Sequence, residues 1–157
     1  MKIRCDFVTN SSSSSFIVHY KSNDDLVKDV QNLVKNYEDD EYSTQFRTLV
    51  YDLFKNYISF DEALEKVKQE AEYKSRIEYQ CLSEGKEKYG DWSAWRESDE
   101  YKELRAAFEK EYVDNFIASV DHSGYFISLY YSDSDGFYDV CADLEKMISG
   151  VVLKQHD

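Results

Sequence analysis

The chain opens on a strict alternation. Between residues 2 and 8, Ile3, Cys5 and Phe7 fall on one side and Arg4 and Asp6 on the other, the period-2 signature of a half-buried strand. Ser15 to Lys21 repeats the pattern with Phe16, Val18 and Tyr20 sharing a face, and Asn10 with Ser11 to Ser15 forms the loop of a predicted N-terminal hairpin. The period then becomes helical. Leu26, Val30, Leu33 and Tyr37 recur behind Ser22-Asn23-Asp24-Asp25, which supplies a cap and negative charge at a helix start, so a helix is predicted over 24–37. Glu38 to Glu41 reads as a solvated acidic turn, and Phe46, Leu49, Val50, Leu53, Phe54 and Tyr57 form the clearest amphipathic stripe in the chain.

Ser59 and Glu62 make a Ser-x-x-Glu capping box, with Ile58 and Ala63 placed as a hydrophobic staple. The helix they start is expected to run through Leu64, Val67, Ala71, Ile77 and Cys81 and to stop near Gly85. Gly85 to Asp99 is polar apart from Tyr89, Trp92 and Trp95, after which Tyr101, Leu104, Phe108 and Tyr112 define a helix capped by Ser98. Phe116 to Val120 and Tyr125 to Tyr131 read as a second hairpin around the turn Asp121-His122-Ser123-Gly124. Phe116 and Val120 also keep a helical period, so extension of the preceding helix is the competing reading. Phe137, Val140, Cys141, Leu144, Met147 and Ile148 form a last helix, and Val151 to Leu153 a short strand. The predicted class is α+β: a mostly antiparallel sheet, made of the N-terminal hairpin plus C-terminal strands, packed with about five helices in a single globular domain over 1–157.

Composition narrows the function. At 157 residues the chain is long enough to bury roughly 70% of its unfolded surface, and 42% hydrophobic with 16% aromatic residues argues for a folded globule. Lys and Arg number 19 against 32 Asp and Glu, a net charge of -13, with no basic block. Direct nucleic-acid binding and an anionic membrane surface are therefore disfavoured, since both draw their affinity from neutralised phosphates. A protein with a basic surface is the electrostatically favoured partner; the plain alternative is charge for solubility. Cys5, Cys81 and Cys141 are odd in number and lack a C-x-x-C spacing, which suggests neither a disulfide framework nor a zinc site and fits a cytoplasmic protein. The N-terminus has no secretory apolar region, and no run approaches the ~20 apolar residues a bilayer span needs. Proline is absent and Tyr numbers 14, a bias that an A/T-rich coding genome accounts for.

The segment Lys-Ile-Arg-Cys-Asp-Phe-Val-Thr-Asn-Ser-Ser-Ser-Ser-Ser-Phe-Ile-Val over residues 2–18 resembles the N-terminal segment of uncharacterised proteins of low-GC Gram-positive bacteria and their phages. The core from Phe7 to Phe16 carries the match, and Cys5 departs from the small polar residue of that pattern. The resemblance implies a source class and no activity. Successive serine amides can cradle an anion, but without the glycines and lysine of a phosphate-binding loop the run reads as a hairpin tip.

Asp133-x-Asp135-Gly136 looks like part of a calcium loop, yet that alignment places Tyr131 and Ala142 where two essential oxygen ligands belong. The same pair, downstream of Ser123-Gly124, is similar to the metal-binding aspartates of nucleotidyltransferases. In that family a helical turn follows the Gly-Ser, whereas Tyr125 to Tyr131 reads as one strand, and helix capping explains the aspartates equally. His19, His122 and His156 have no neighbour at metal or triad spacing, so no catalytic residue and no cofactor is assigned. The expected partner-binding residues are Tyr89, Trp92, Trp95 and Tyr101 with Glu97, Asp99 and Glu100, because large aromatics on a charged segment are what interface hot spots are made of. Against this, Trp92 and Trp95 are three apart and suit one helical face closed over a core. The expected function is an acidic, protein-binding accessory protein of phage or mobile-element origin that modulates or inhibits a host protein, as DNA mimics and some anti-CRISPR proteins do. The alternatives are a metal-dependent enzyme using Asp133 and Asp135, and a structural or oligomeric component.

Overall fold

The computed structural model describes residues 13–37, 43–132, 137 and 144–155. Its elements are β1 (Ser13–Tyr20), α1 (Asn23–Tyr37), α2 (Ser43–Lys55), β2 (Tyr57–Ile58), α3 (Phe60–Tyr79), α4 (Ser83–Tyr89), α5 (Trp92–Glu97), α6 (Asp99–Ser119) and β3 (Tyr125–Ser132), then a helical turn over 144–147, here α7, and β4 (Val151–Gln155). The class is α+β, with an antiparallel sheet. Within the stretch read as one domain the chain packs as two compact units. A sheet unit comprises Ser11–Glu65 and Ser119–Asp157, and a helical unit has Lys66–Ala118 as its described residues.

In the sheet unit the strand order is β2-β3-β1-β4. β1 lies in the middle, antiparallel to β3 from Ser13↔Ser132 to Tyr20↔Tyr125 and to β4 from Ser15↔Gln155 to His19↔Val151. Opposed residues of an antiparallel pair share a face. Phe16↔Leu129 and Val18↔Ile127 therefore point the same way, into a core completed by Leu26, Leu33, Phe46, Leu49 and Leu53 of α1 and α2. The stripes at positions 26, 33 and 46, 49, 53 are the periodicity seen in the sequence, now spent on covering one side of the sheet. Tyr131 stacks on Phe137 with ring centroids 4.3 Å apart, and its hydroxyl donates to Asp52 at 3.1 Å.

One buried carboxylate ties this core together. Asp29 of α1 accepts from the Tyr20 hydroxyl at 2.9 Å and from the amide and hydroxyl of Ser149 at 2.5 and 3.0 Å. It thereby joins the end of β1, the middle of α1 and the residue pair that leads into β4. Burial, reinforced by Asp29, pushes the Tyr20 phenol above its ordinary range, so it acts as a permanent donor.

Local signals explain the helix starts. The Ser22 hydroxyl accepts the Asp25 amide at 3.2 Å and donates to the Asp25 carboxylate at 2.8 Å. At Ser59 and Glu62 the capping box is complete: the Glu62 amide donates to the Ser59 hydroxyl at 3.1 Å and the Ser59 amide to Glu62 at 2.8 Å. Ser98 caps α6 through the Tyr101 amide at 3.1 Å.

Several expectations are corrected. The α2 stripe ends at Lys55, and Tyr57 belongs to β2, where pairing with Ile127 overrides its helical spacing. Helix α3 ends at Tyr79 rather than Cys81, and Gly85 lies buried inside α4 instead of marking a stop. Phe116 is buried in α6, so the segment 116–119 continues a helix; the partners of β3 are β1 and β2. The competing helical reading of Phe116 holds because helix continuity outweighs the weak β preference of a few residues. The predicted strand over 2–8, the serines Ser11 and Ser12, the turn 38–41 and most of the helix predicted over 137–148 lie outside the described residues.

The helical unit is held by polar contacts as much as apolar ones. Arg105 of α6 donates to Ser75 at 2.9 Å and to Glu109 at 3.0 Å, and Ser75, fully buried on α3, donates to Glu109 at 2.5 Å. Next to Ser75 on α3, Lys74 reaches Tyr112 at 3.0 Å and the buried Glu70 at 3.3 Å. Burial pulls the Lys74 ammonium down, but the Tyr112 hydroxyl and Glu70 more than offset it, and its pKa ends above the ordinary value.

Replacing Asp29 by Ala strands the buried Tyr20 hydroxyl and takes an acceptor from the amide of the more exposed Ser149. The expected cost is about 1–3 kcal/mol, the range for one buried orphan donor. Asp29→Asn, which keeps an acceptor, is expected to lose clearly less; urea unfolding midpoints of the two variants check the order.

Candidate functional site

The seven residues singled out in the sequence converge on the corner formed by α4, α5 and the start of α6, but they divide into two groups. Trp95 is 1% exposed and Tyr101 6% exposed, so both are interior residues and neither faces a partner. Tyr89, Trp92 and Glu100 are half-buried, and Glu97 and Asp99 are exposed. Spacing of three placed Trp92 and Trp95 on adjoining sides of α5, and packing decided which went inward.

Trp95 is the reason the corner exists. Its indole N–H donates to the Tyr79 carbonyl at 2.8 Å, which ties α5 to the end of α3, and its ring meets Tyr101 edge-on at 5.5 Å and Tyr89 tilted at 5.7 Å. The ring lies flush on Gly85, where a Cβ would fall inside the van der Waals surface of the indole. Two short helices are thereby folded back on each other. Gly90, at φ 88°, turns the chain between them while its amide closes α4 on the Lys86 carbonyl at 2.9 Å. Asp91 then caps α5 by accepting from the Ser93 and Ala94 amides, each at 2.8 Å.

What remains on the outside is an aromatic rim with fixed charges. Lys86 sits over Trp92 at 5.6 Å. Glu100 accepts from Lys88 at 2.5 Å and from the Tyr89 hydroxyl at 3.0 Å, and the Lys88 ammonium followed by Tyr89 holds its carboxyl below the usual range. Both partners are solvated, so this pair orients the rim rather than stabilising the fold. Glu97 and Asp99 project nearby from the end of α5 and the start of α6.

A second constellation gathers in the sheet unit, among residues whose spacing along the chain carries no signal. His19 is 2% exposed, and its Nε2 lies 3.0 Å from the Asp121 carbonyl and 3.3 Å from the Asp121 amide, with the ring tilted on Phe126 at 4.8 Å. The Asp121 carboxylate accepts from the amide and hydroxyl of Ser123 at 2.9 and 2.7 Å, and these bonds hold it below the ordinary carboxylate range. A nucleophilic relay needs the base on the hydroxyl and the carboxylate on the base. Here the histidine reaches main chain only and the serine is bonded to the carboxylate, so the three groups build a turn.

Between α1 and α2 lies a cleft of about 160 Å³ with walls of Leu33, Val34, Tyr37, Phe46 and Val50 and one cation, Arg47, at its lining. It offers packing without an acid–base pair. Among the described residues no three His, Cys, Asp or Glu side chains are grouped so as to hold a metal, and no helix is long and apolar enough to cross a membrane. Asp133 and Asp135 lie outside the described residues. No family model, no curated protein and no solved structure matches this chain.

Two expectations test these geometries. Gly85→Ala forces a methyl group into the Trp95 ring and is expected to cost about 1–3 kcal/mol, the range for overpacking; pairing it with Trp95→Leu should recover part of the loss, read from thermal melts. His19 sets a pH dependence. Burial lowers its pKa beneath the ordinary 6.5, so on acidification the unfolded chain takes up the proton first. Stability is therefore full above pH 6.5 and falls as pH drops from there through the depressed folded value. In His19→Gln the unfolding free energy should be flatter across that window.

Proposed function

We propose that this chain is an acidic, protein-binding accessory protein of phage or mobile-element origin, working in the cytoplasm, that captures a host protein through a basic surface and modulates or inhibits it. The observation that carries the reading is how charge is divided between the two units. The sheet unit has 7 Lys and Arg against 18 Asp and Glu, whereas Lys66–Ala118 has 10 against 13. Almost all the excess of one sign thus belongs to one unit, and the half-buried aromatic rim of α4 and α5 belongs to the other.

Those two properties do different work in association. A one-signed field acts over a Debye length of roughly 8–10 Å at physiological salt, raises the rate of encounter with a basic surface and repels nucleic acid. Large aromatic contacts slow dissociation. Tyr89 and Trp92, held on the rigid base of Trp95 and Gly85, supply contact area whose ordering entropy is already lost on folding. The source class is supported by the resemblance of residues 2–18 and by nothing in the fold.

The test is kinetic. With a partner recovered by affinity capture at low salt, surface plasmon resonance should show an association rate that falls steeply between about 50 and 300 mM salt while dissociation changes little. Trp92→Ala should speed dissociation about tenfold, the scale of one hot-spot residue, and leave association unaltered. A salt-insensitive association rate, or no partner recovered at any salt, removes the proposal.

A further inference from the structure

The rim on α4 and α5 offers contact area but little net charge, so the place where a basic segment itself is seated must be sought elsewhere. We infer that it is seated on the exposed tyrosine pair at the β2 edge of the sheet unit, Tyr57 and Tyr125, which receives an arginine or lysine side chain of the partner. The inference rests on the reading of a basic partner given above.

Tyr57 and Tyr125 are 44% and 40% exposed, with centroids 5.9 Å apart and ring planes inclined by 56°. They lie on the same face because Tyr57 pairs with Ile127, two residues along β3 from Tyr125. β2 is only two residues long and forms the edge of the sheet, so among the described residues no further strand flanks Tyr57 on that side. Two inclined aromatic faces left in solvent present their negative quadrupoles to the same space, which suits a cation. Burial, then the neighbouring Tyr125, lifts the Tyr57 phenol above its usual range and keeps that ring neutral.

The charge around the pair chooses the occupant. Asp61 and Glu62 lie in the first turn of α3, and Asp121 lies in the turn that leads into Tyr125; all three are exposed. The two segments are clamped together by Phe60, which stacks on His122 at 4.1 Å and packs on Phe126 at 5.6 Å. Glu62 is fixed by the Ser59 cap and Asp121 by Ser123, bonds that orient the carboxylates without neutralising them. Two described cations adjoin these strands: Lys55, two residues before Tyr57, which turns onto the Tyr51 ring at 4.9 Å, and Lys21, next to the Tyr20 that pairs with Tyr125. Both segments that flank the pair thus carry exposed carboxylates, which disfavour an anionic ligand. A guanidinium, planar and weakly hydrated, stacks on one ring while its edge donates to a carboxylate, and so suits the pair better than an ammonium.

The probe is an acetylated Gly-Arg-Gly-Arg-Gly amide, with its Gln-for-Arg counterpart as control, titrated into the full chain while aromatic proton–carbon NMR signals are followed. The arginine peptide should shift the Tyr57 and Tyr125 ring signals saturably and the glutamine peptide should not. Tyr57→Ala and Tyr125→Ala should each weaken binding by about 2- to 5-fold, the value of one exposed cation–aromatic contact, and Tyr57→Phe should change it by less than about twofold because the ring remains. Unchanged amide spectra outside the patch verify that these surface variants fold. Shifts confined to other residues, or alanine variants that bind the peptide as tightly as the parent, overturn the assignment. In capture of the whole partner, a Tyr57→Ala/Tyr125→Ala double variant that still binds tightly and salt-sensitively overturns only this seat, whereas salt-insensitive capture by the parent chain removes the underlying reading.

Discussion

The sheet unit depends on the position of β1. A strand with neighbours on both edges has little surface to offer solvent, and Phe16 to Tyr20, which alternate between its faces, are all 2% exposed or less. Two of those five residues are polar at their tips, and a buried polar atom left without a partner is costly. His19 therefore reaches the main chain of Asp121, which fixes the turn that starts β3. Tyr20 reaches Asp29, and Asp29 in turn holds Ser149 at the approach to β4. The demand that one central strand be satisfied thus sets the entry of both strands that flank it.

The helical unit solves a different problem. Its short helices α4 and α5 are too brief to be stable alone, and what keeps them is Trp95 pressed on Gly85 and bonded to the end of α3. A large buried aromatic is used here as a fastener. The result is a rigid corner whose outer residues, Tyr89 and Trp92, stay half-exposed because the inner ones occupy the available interior. Partial exposure of aromatics at this corner follows from how the unit is built, and the proposed contact would draw on that pre-organisation.

The two units differ in the properties that the proposed binding would use. One carries a strong field of a single sign together with inclined tyrosines amid carboxylates. The other is nearly balanced in charge and carries an aromatic rim. Long-range attraction and short-range contact obey different distance laws, the first screened over a Debye length and the second confined to touching atoms. On the proposed reading, placing them in separate units would let the rate of capture and the lifetime of the complex vary independently.

Much of this was readable along the chain, and the division follows the range of the interactions concerned. The sequence by itself determined what depends on neighbours within a few residues: the caps at Ser22, Ser59 and Ser98, the stripes of α1 and α2, the alternation of β1 and the β-branched and aromatic run of β3. It pointed to the region of Tyr89 to Tyr101, because aromatics on a charged segment are visible without a structure. Only tertiary structure decided that Gly85 lies under an indole rather than at a helix end, that Phe116 stays helical, and that Trp95 turns inward while Trp92 does not. The pairing of Tyr57 with Tyr125 belongs to the same group. Their rings meet because strand register aligns residues far apart in sequence, and register is chosen by the burial of a whole face, a property that no short stretch of sequence contains.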